Sequence, residues 1–416
     1  MNRFVLAAVS LLGAPVLAAE PSAVSAKARA IHESALIIDT HLDTPLRMLD
    51  EGFDLGSKSP EGVGHVDLTR ARAGNLGAGF FSIWVSPQEP AGRYTHRALR
   101  LIDAVLQQVE RHPEEMVLAL SSKDIVAARS GKKKRLATLM GVEGGHAIED
   151  DLGVLRLFYR LGVRYMTLTW SNSTSWADSS GDLDDPKVKH HGGLTDFGRD
   201  VVREMNRLGM LVDVSHVADA TFFDVMKVTR APVIASHSSA RALASHPRNM
   251  TDAMLKAVAA NGGVVMVNFY AAFIDDDFRK ASAAMAPERK AALDAVEARH
   301  ANADAATRFR ATFLENAVWV EKAKRPSLEV LINHIDHIAK VAGVAHVGLG
   351  SDFDGIDATP QGIDSVADLP RITEALVARG YTREQLHKML GGNLLRVFQE
   401  AERVSRELRA APATNR

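Results

Sequence analysis

LIIDTHLDTP (residues 36–45) opens on an apolar triplet, Leu36 to Ile38, and closes on three polar residues, Asp39, His41 and Asp43. A short apolar run without clean alternation reads as a strand buried on both faces. It is one of eight such runs bounded by turn residues: Ala35–His41, Ala78–Trp84, Ala137–Glu143, Arg164–Thr169, Met210–Ser215, Pro232–Ser236, Gly263–Asn268 and Ala345–Ser351. Helical stretches separate them. TDFGRDVVREMNRLG (195–209) has a capping Thr195, an apolar side made by Phe197, Val201, Val202 and Met205, and a stop at Gly209. SLEVLINHIDHIAKVAG (327–343) repeats the pattern with Ser327 and Gly343, and its His334 and His337 read as packing or surface residues. Strand and helix alternating eight times predicts an α/β protein, a (β/α)8 TIM-type barrel.

The remaining segments fit around that barrel. Residues 271–326 form an Ala-rich, charged helical insertion after the seventh strand, with helices expected around Pro287–Ala298 and Ala305–Lys322. In such a barrel it lands at the catalytic end, as a lid or an interface. A polar loop, 172–194, follows the fourth strand, and 410–416 reads as a disordered tail. Residues 1–19 have a basic start, an apolar stretch from Phe4 to Leu17 and small residues at Ala18 and Ala19. They read as a secretory signal peptide, leaving 20–409 as one domain, periplasmic or secreted, with no membrane span.

The 416 residues carry a net charge of −1, 46% hydrophobic residues and no cysteine. That balance excludes nucleic acid and anionic membranes as expected partners. The run Lys132 to Arg135 reads as a solvated loop. Any metal site must be built from His, Asp and Glu.

Those residues cluster at strand ends. The first strand ends in His41 and Asp43, the third in Glu143, and the fifth runs into His216. The sixth runs into His237, and the eighth into Asp352, with Asp354 close behind. In a parallel barrel all these ends share one rim, and residues two apart on a strand point the same way. Six nitrogen and oxygen donors suit two metal ions better than one if a carboxylate bridges them, and Glu143 is the choice for that bridge. Two nearby ions can hold one hydroxide and polarise a carbonyl, which points to hydrolysis of an amide or ester.

At these residues the sequence resembles the membrane (renal) dipeptidase family of the amidohydrolase superfamily. The resemblance runs from about Ile31 to Glu400. It is carried by IDTHLDT (38–44), GVEGGHAI (141–148), GMLVDVSHV (209–217), PVIASHSSARAL (232–243), HPRNM (246–250), GGVVMVNF (262–269) and GLGSDFDG (348–355). It implies a dipeptidase with two zinc ions per chain. His41 and Asp43 would bind one, His216 and His237 the other, with Glu143 between. Asp352 would touch the metals and move the proton, from the attacking water to the leaving amine. Arg248 would pair with the terminal carboxylate of a small dipeptide, and Tyr270 would line the same pocket. The family also accepts a D-residue at the second position and often forms homodimers, for which 271–326 is a candidate interface.

One departure stands out. Where many members have a histidine after the fourth strand, this chain has Trp170, in MTLTWSNSTSWAD (166–178). That histidine is thought to help hold the oxyanion, and losing such a donor costs ~10²–10³ in rate. Either His146, His190 or His191 takes over, with His146 and Trp170 then lining the substrate site, or the substrate is a peptide-like natural product or cell-wall fragment. A non-catalytic binding protein that kept the barrel is the third alternative.

Overall fold

The computed structural model describes residues 23–410 apart from 61 and 132. The expected signal peptide, Lys132 and residues 411–416 lie outside the described residues. Ala410 itself ends a helix rather than beginning a tail, because the last helix, Asn393–Ala410, keeps its pattern to that residue.

Among the described residues nine strands occur: β1 (Ile37–Leu42), β2 (Leu76–Trp84), β3 (Met116–Leu118), β4 (Leu136–Glu143), β5 (Val163–Thr167), β6 (Leu211–Asp213), β7 (Ile234–Ala235), β8 (Val264–Val267) and β9 (Val347–Leu349). Their order is β2-β1-β9-β8-β7-β6-β5-β4-β3, and β2 also pairs with β4, which closes an eight-stranded parallel barrel with β3 outside it. All eight expected runs hold a barrel strand, so the chain is a TIM-type (β/α)8 barrel. The addition is β3, whose three residues pair with Leu136 to Thr138 at the start of β4. At its other end β4 pairs with β5.

Each barrel strand is covered on both faces. The interior groups Ile38, Phe80, Leu139, Tyr165, Leu211 and Met266 with Leu394, Val397 and Phe398 of the last helix. Arg396 of that helix donates to the carbonyls of Gly262 and Ala345, which precede β8 and β9. The helix therefore closes the N-terminal mouth and leaves the opposite rim for chemistry.

Local signals set the outer layer. Thr195 accepts from the Gly198 amide and Gly209 takes φ 84°, so the helix Asp196–Leu208 starts and stops as its sequence predicts. The insertion folds as helices Ala271–Ile274, Asp276–Ala284, Ala286–Arg299 and Ala305–Lys322. It packs on the active rim: Arg289 pairs with Asp357, Phe313 lies 5.9 Å from His65, and Phe309 covers the Arg47 guanidinium at 4.6 Å. Among the described residues no helix is long and apolar enough to cross a membrane.

Candidate metal centre

The six expected donors converge on the C-terminal rim. His41 lies within β1, and Asp43 opens the helix Thr44–Asp50 that follows. Glu143 is the last residue of β4, while His216, His237 and Asp352 sit two or three residues beyond β6, β7 and β9. His216 (φ 67°) and Asp352 (φ 66°) adopt the left-handed conformation. That backbone is uncommon for residues with a side chain and concentrates at functional sites.

Glu143 faces two groups at once. Its Oε2 is 3.3 Å from His41 Nε2, which is also 3.3 Å from Asp43 Oδ2. Its Oε1 is 2.8 Å from His216 Nε2 and 3.5 Å from His237 Nε2, and those two nitrogens are 2.9 Å apart. Asp352 Oδ2 accepts from Asn268 Nδ2 at 2.9 Å. Donor atoms of His41, Glu143 and His237, and of His41, Asp43 and Asp352, each gather within 4.8 Å. Gly355 makes the room: a Cβ there would lie 2.0 Å from Asp43 Oδ2 and 2.7 Å from Asp352 Oδ1.

This donor set fits divalent cations. Among the described residues His41 Nε2 and Asp43 Oδ1 are buried without a hydrogen-bond partner, which is costly for groups of that polarity. Burial, with the Arg248 charge, drives His216 down to about 3. Burial and the His41 charge hold His237 well below its usual range. Both imidazoles are thus neutral, as ligands must be. Burial opposes charge on His41, yet Tyr165, Glu143 and Asp43 outweigh it and raise its pKa well above the ordinary value. Burial also penalises the Glu143 carboxylate, but the His41 charge and the imidazoles gathered around it hold it well below the usual range. Burial, then the Asp43 and Glu143 charges, push Asp352 well up. Both shifts run in the direction that favours a proton, the positive charge that cations would supply instead.

The other expected residues take distinct places. Arg248 is buried, donating to the His237 carbonyl at 3.0 Å and to Ser238 Oγ at 3.3 Å. Among the described residues its Nε has no hydrogen-bond partner, and burial lowers its pKa to about 10. Trp170 sits 6.3 Å from the His216 ring and edge-on to Trp84 at 5.1 Å. Tyr270 packs on Phe273, and burial and Asp357 raise its hydroxyl pKa. His146 bonds the Val85 carbonyl at 2.9 Å and packs on Tyr94. His191 turns to the Thr174 carbonyl and His190 to Asp178. Among the described residues no hydrogen bond or ion pair joins any of these three histidines to the centre. Asp354 is engaged elsewhere, by the His65 amide and Thr44 Oγ1 at 2.6 Å each and by Arg47.

Sequence reading missed Asn268 and Tyr165. Asn268 ends its expected strand in a polar residue, the signal that marks the expected donors, but an amide is not among the His, Asp and Glu types to which that signal applies. Tyr165, whose hydroxyl meets His41 Nδ1 at 2.8 Å, lies mid-strand and gives no such signal.

Comparison with known proteins agrees with this geometry. Residues 25–412 match the family model described as membrane dipeptidase (peptidase family M19). The dipeptidase aclJ of Aspergillus oryzae is 36% identical over 351 residues, 83% of this chain and 72% of that one. The probable dipeptidase PvdM from Pseudomonas aeruginosa superposes with a TM-score of 0.74 at 25% identity, covering 91% of this chain and 98% of that one. A metallo peptidase from Rhodobacter sphaeroides, liganded with a phosphinate mimic of the dipeptide L-Ala-D-Ala, superposes with a TM-score of 0.70 at 26% identity, covering 88% and 99%. A ligand-bearing rim on a closed barrel and a family match over nearly all the described residues lead to one conclusion: this chain belongs to the membrane dipeptidase family, and it is a peptide-bond hydrolase of the metallopeptidase type.

Proposed function

We propose that this protein is an exported dipeptidase holding two zinc ions and hydrolysing free dipeptides, L-L and L-D alike. His41 and Asp43 would hold one ion and His216 and His237 the other, with Glu143 shared between them. The observation that carries the dipeptide reading is Arg248, a buried guanidinium beside His237 with a free Nε and no carboxylate partner among the described residues. A fork of donors in that position suits a substrate's C-terminal carboxylate, and burial makes that charge expensive to leave unpaired. The Rhodobacter sphaeroides relative carrying a dipeptide mimic supports the same substrate size.

The bound ions would polarise the scissile carbonyl and make the attacking water acidic. The chain's own residues supply the rest. Arg248 anchors the carboxylate and so fixes where the peptide bond lies relative to Glu143 and Asp352. Asp352, oriented by Asn268, takes a proton from the attacking water and returns it to the leaving nitrogen, so that a carboxylic acid and a free amine result. Trp84 and Trp170 wall the site beside His216 and narrow the choice of side chain. That wall favours, as the second reading, a peptide-like natural product or cell-wall fragment.

The test is a panel of L-L and L-D dipeptides, their N-acetylated and C-amidated forms, and tripeptides, run on a sample whose metal content per chain is known. Turnover confined to free dipeptides, with C-amides refused, is expected. Equal turnover of C-amides would remove the role given to Arg248, and two ions per chain without dipeptide turnover would favour the second reading.

A further inference from the structure

The imidazole of His237 is held from behind by a chain of hydrogen bonds whose direction can be worked out. Asp213, the last residue of β6, is fully buried. Its Oδ1 accepts the amides of Ser215 at 3.0 Å and Ser236 at 2.8 Å. Its Oδ2 accepts Thr167 Oγ1 at 2.5 Å and Ser236 Oγ at 2.6 Å. Four donors fill what a carboxylate can accept. Ser236 therefore gives its one hydroxyl proton to Asp213. Of the other acceptors within reach, Ser215 Oγ is at 3.4 Å and much poorer, and giving the proton to His237 Nδ1 would leave the serine and carboxylate oxygens 2.6 Å apart with no proton between them. Ser236 Oγ also lies 2.7 Å from His237 Nδ1. With its proton committed, the hydroxyl can only accept there, so Nδ1 carries the hydrogen. Nε2 is left with its lone pair, pointing at Glu143 and His216.

We propose that Asp213, acting through Ser236, is the positioning residue that fixes His237 in the Nδ1–H tautomer and aims its Nε2 lone pair at the metal centre. This goes a step beyond the ligand set and rests on His237 being one of the ligands. A metal-binding histidine commonly donates its other N–H to a carboxylate or carbonyl; here the carboxylate acts through one serine. Among the described residues the neighbouring ligands lack such a chain. His41 Nδ1 meets Tyr165, whose hydroxyl can donate or accept, and His216 Nδ1 has no hydrogen-bond partner.

Asp213→Asn reverses the chain without changing its shape. The two backbone amides require an oxygen at their end of the side chain, so the new amide nitrogen faces Ser236 and donates to it. Ser236 is then free to donate to His237 Nδ1, which selects the Nε2–H tautomer and blocks the lone pair. Ser236→Ala cuts the chain instead. The experiment compares the wild-type protein, Asp213→Asn, Ser236→Ala and His237→Ala by two readouts: zinc affinity by competition with a chromophoric chelator, and the histidine tautomers of the metal-free protein by ¹⁵N NMR. Zinc affinity is expected to fall about 10- to 100-fold in Asp213→Asn and to fall also in Ser236→Ala, with the His237 resonance moving from Nδ1–H to Nε2–H in Asp213→Asn. Wild-type affinity in a folded Asp213→Asn, while His237→Ala is weakened, overturns the proposal. So does an unchanged tautomer. Wild-type affinity in His237→Ala instead sinks the ligand reading, and the tautomer spectra still judge the relay. If Asp213→Asn does not fold, Ser236→Ala decides by the same readouts: loss of Nδ1–H supports the relay and its retention overturns it.

Discussion

Asp352 has two oxygens with different neighbours. Asn268 holds Oδ2 at 2.9 Å, and Oδ1 lies over Gly355 beside Asp43. An amide at this position keeps the shape and an oxygen to coordinate but cannot accept and return a proton. Asp352→Asn is therefore expected to retain metal while kcat falls ~10²–10⁴-fold, the usual worth of a positioned acid or base. Metal per chain and steady-state kinetics on one sample check this; a variant turning over near the wild-type rate would exclude Asp352 from proton transfer. The same residue shows what a sequence reveals at this scale. Asp352 and Asp354 both follow the last barrel strand, and nothing local says how each is used. The difference comes from Thr44, His65 and Arg47, which occupy Asp354 and lie some three hundred positions away in the chain. Asp213 was likewise invisible as a functional residue, because LVDVSH reads as strand and ligand and the partner hydroxyl comes from another strand.

Elements were legible where a local signal decides them. The barrel strands are apolar runs long enough to stand out, and Thr195 and Gly209 mark a helix by the chemistry of their own backbone positions. β3 escaped because Met116, Val117 and Leu118 are too few to form a pattern, and only the exposed edge at the start of β4 makes them a strand. The helix Leu328–Ala342 shows its apolar stripe in sequence but not what its histidine does. His334 is fully buried: Nδ1 accepts from the Ala240 amide at 3.0 Å, so Nε2–H donates to the Ile274 carbonyl, also at 3.0 Å. It thereby ties this helix to the loop after β7 and to the start of the insertion. Burial holds its pKa down to about 4, from 6.5. The sign follows: on acidification the unfolded chain takes up the proton first, so stability is full above pH 6.5 and declines between 6.5 and 4. The loss from this one residue is about 3 kcal/mol at most. His334→Gln is expected to be less stable at neutral pH and to lose less on acidification. Thermal unfolding at several pH values from 7 to 4 checks it, and parallel curves for the two proteins would rule out His334 as the group responsible.

On the scale of the whole molecule, the centre gathers donors from strands spread along most of the chain. Its donors come from the ends of five strands, from His41 to Asp352, and three of them are carboxylates packed into one buried rim. Like charges at that spacing oppose folding unless protons or cations answer them. The convergence was legible from sequence, since parallel strands put all their ends on one side, but this balance of charge was not, because it depends on distances. An ion that binds only the folded chain stabilises it by mass action, about 4 kcal/mol at a free concentration a thousand times its Kd. For a domain of this size, with the unfolding entropy scaling with length, two such sites correspond to a rise in Tm on the order of 10 °C, and one site to about half that. Stripping the protein with chelator at neutral pH is expected to lower Tm in two resolvable steps and readdition of zinc to restore it. Differential scanning calorimetry across a chelator titration, with metal per chain measured at each point, separates the cases. Two steps support the two-ion reading, a single step of about half the size supports one ion, and a Tm indifferent to stripping would mean that the carboxylates are balanced without metal.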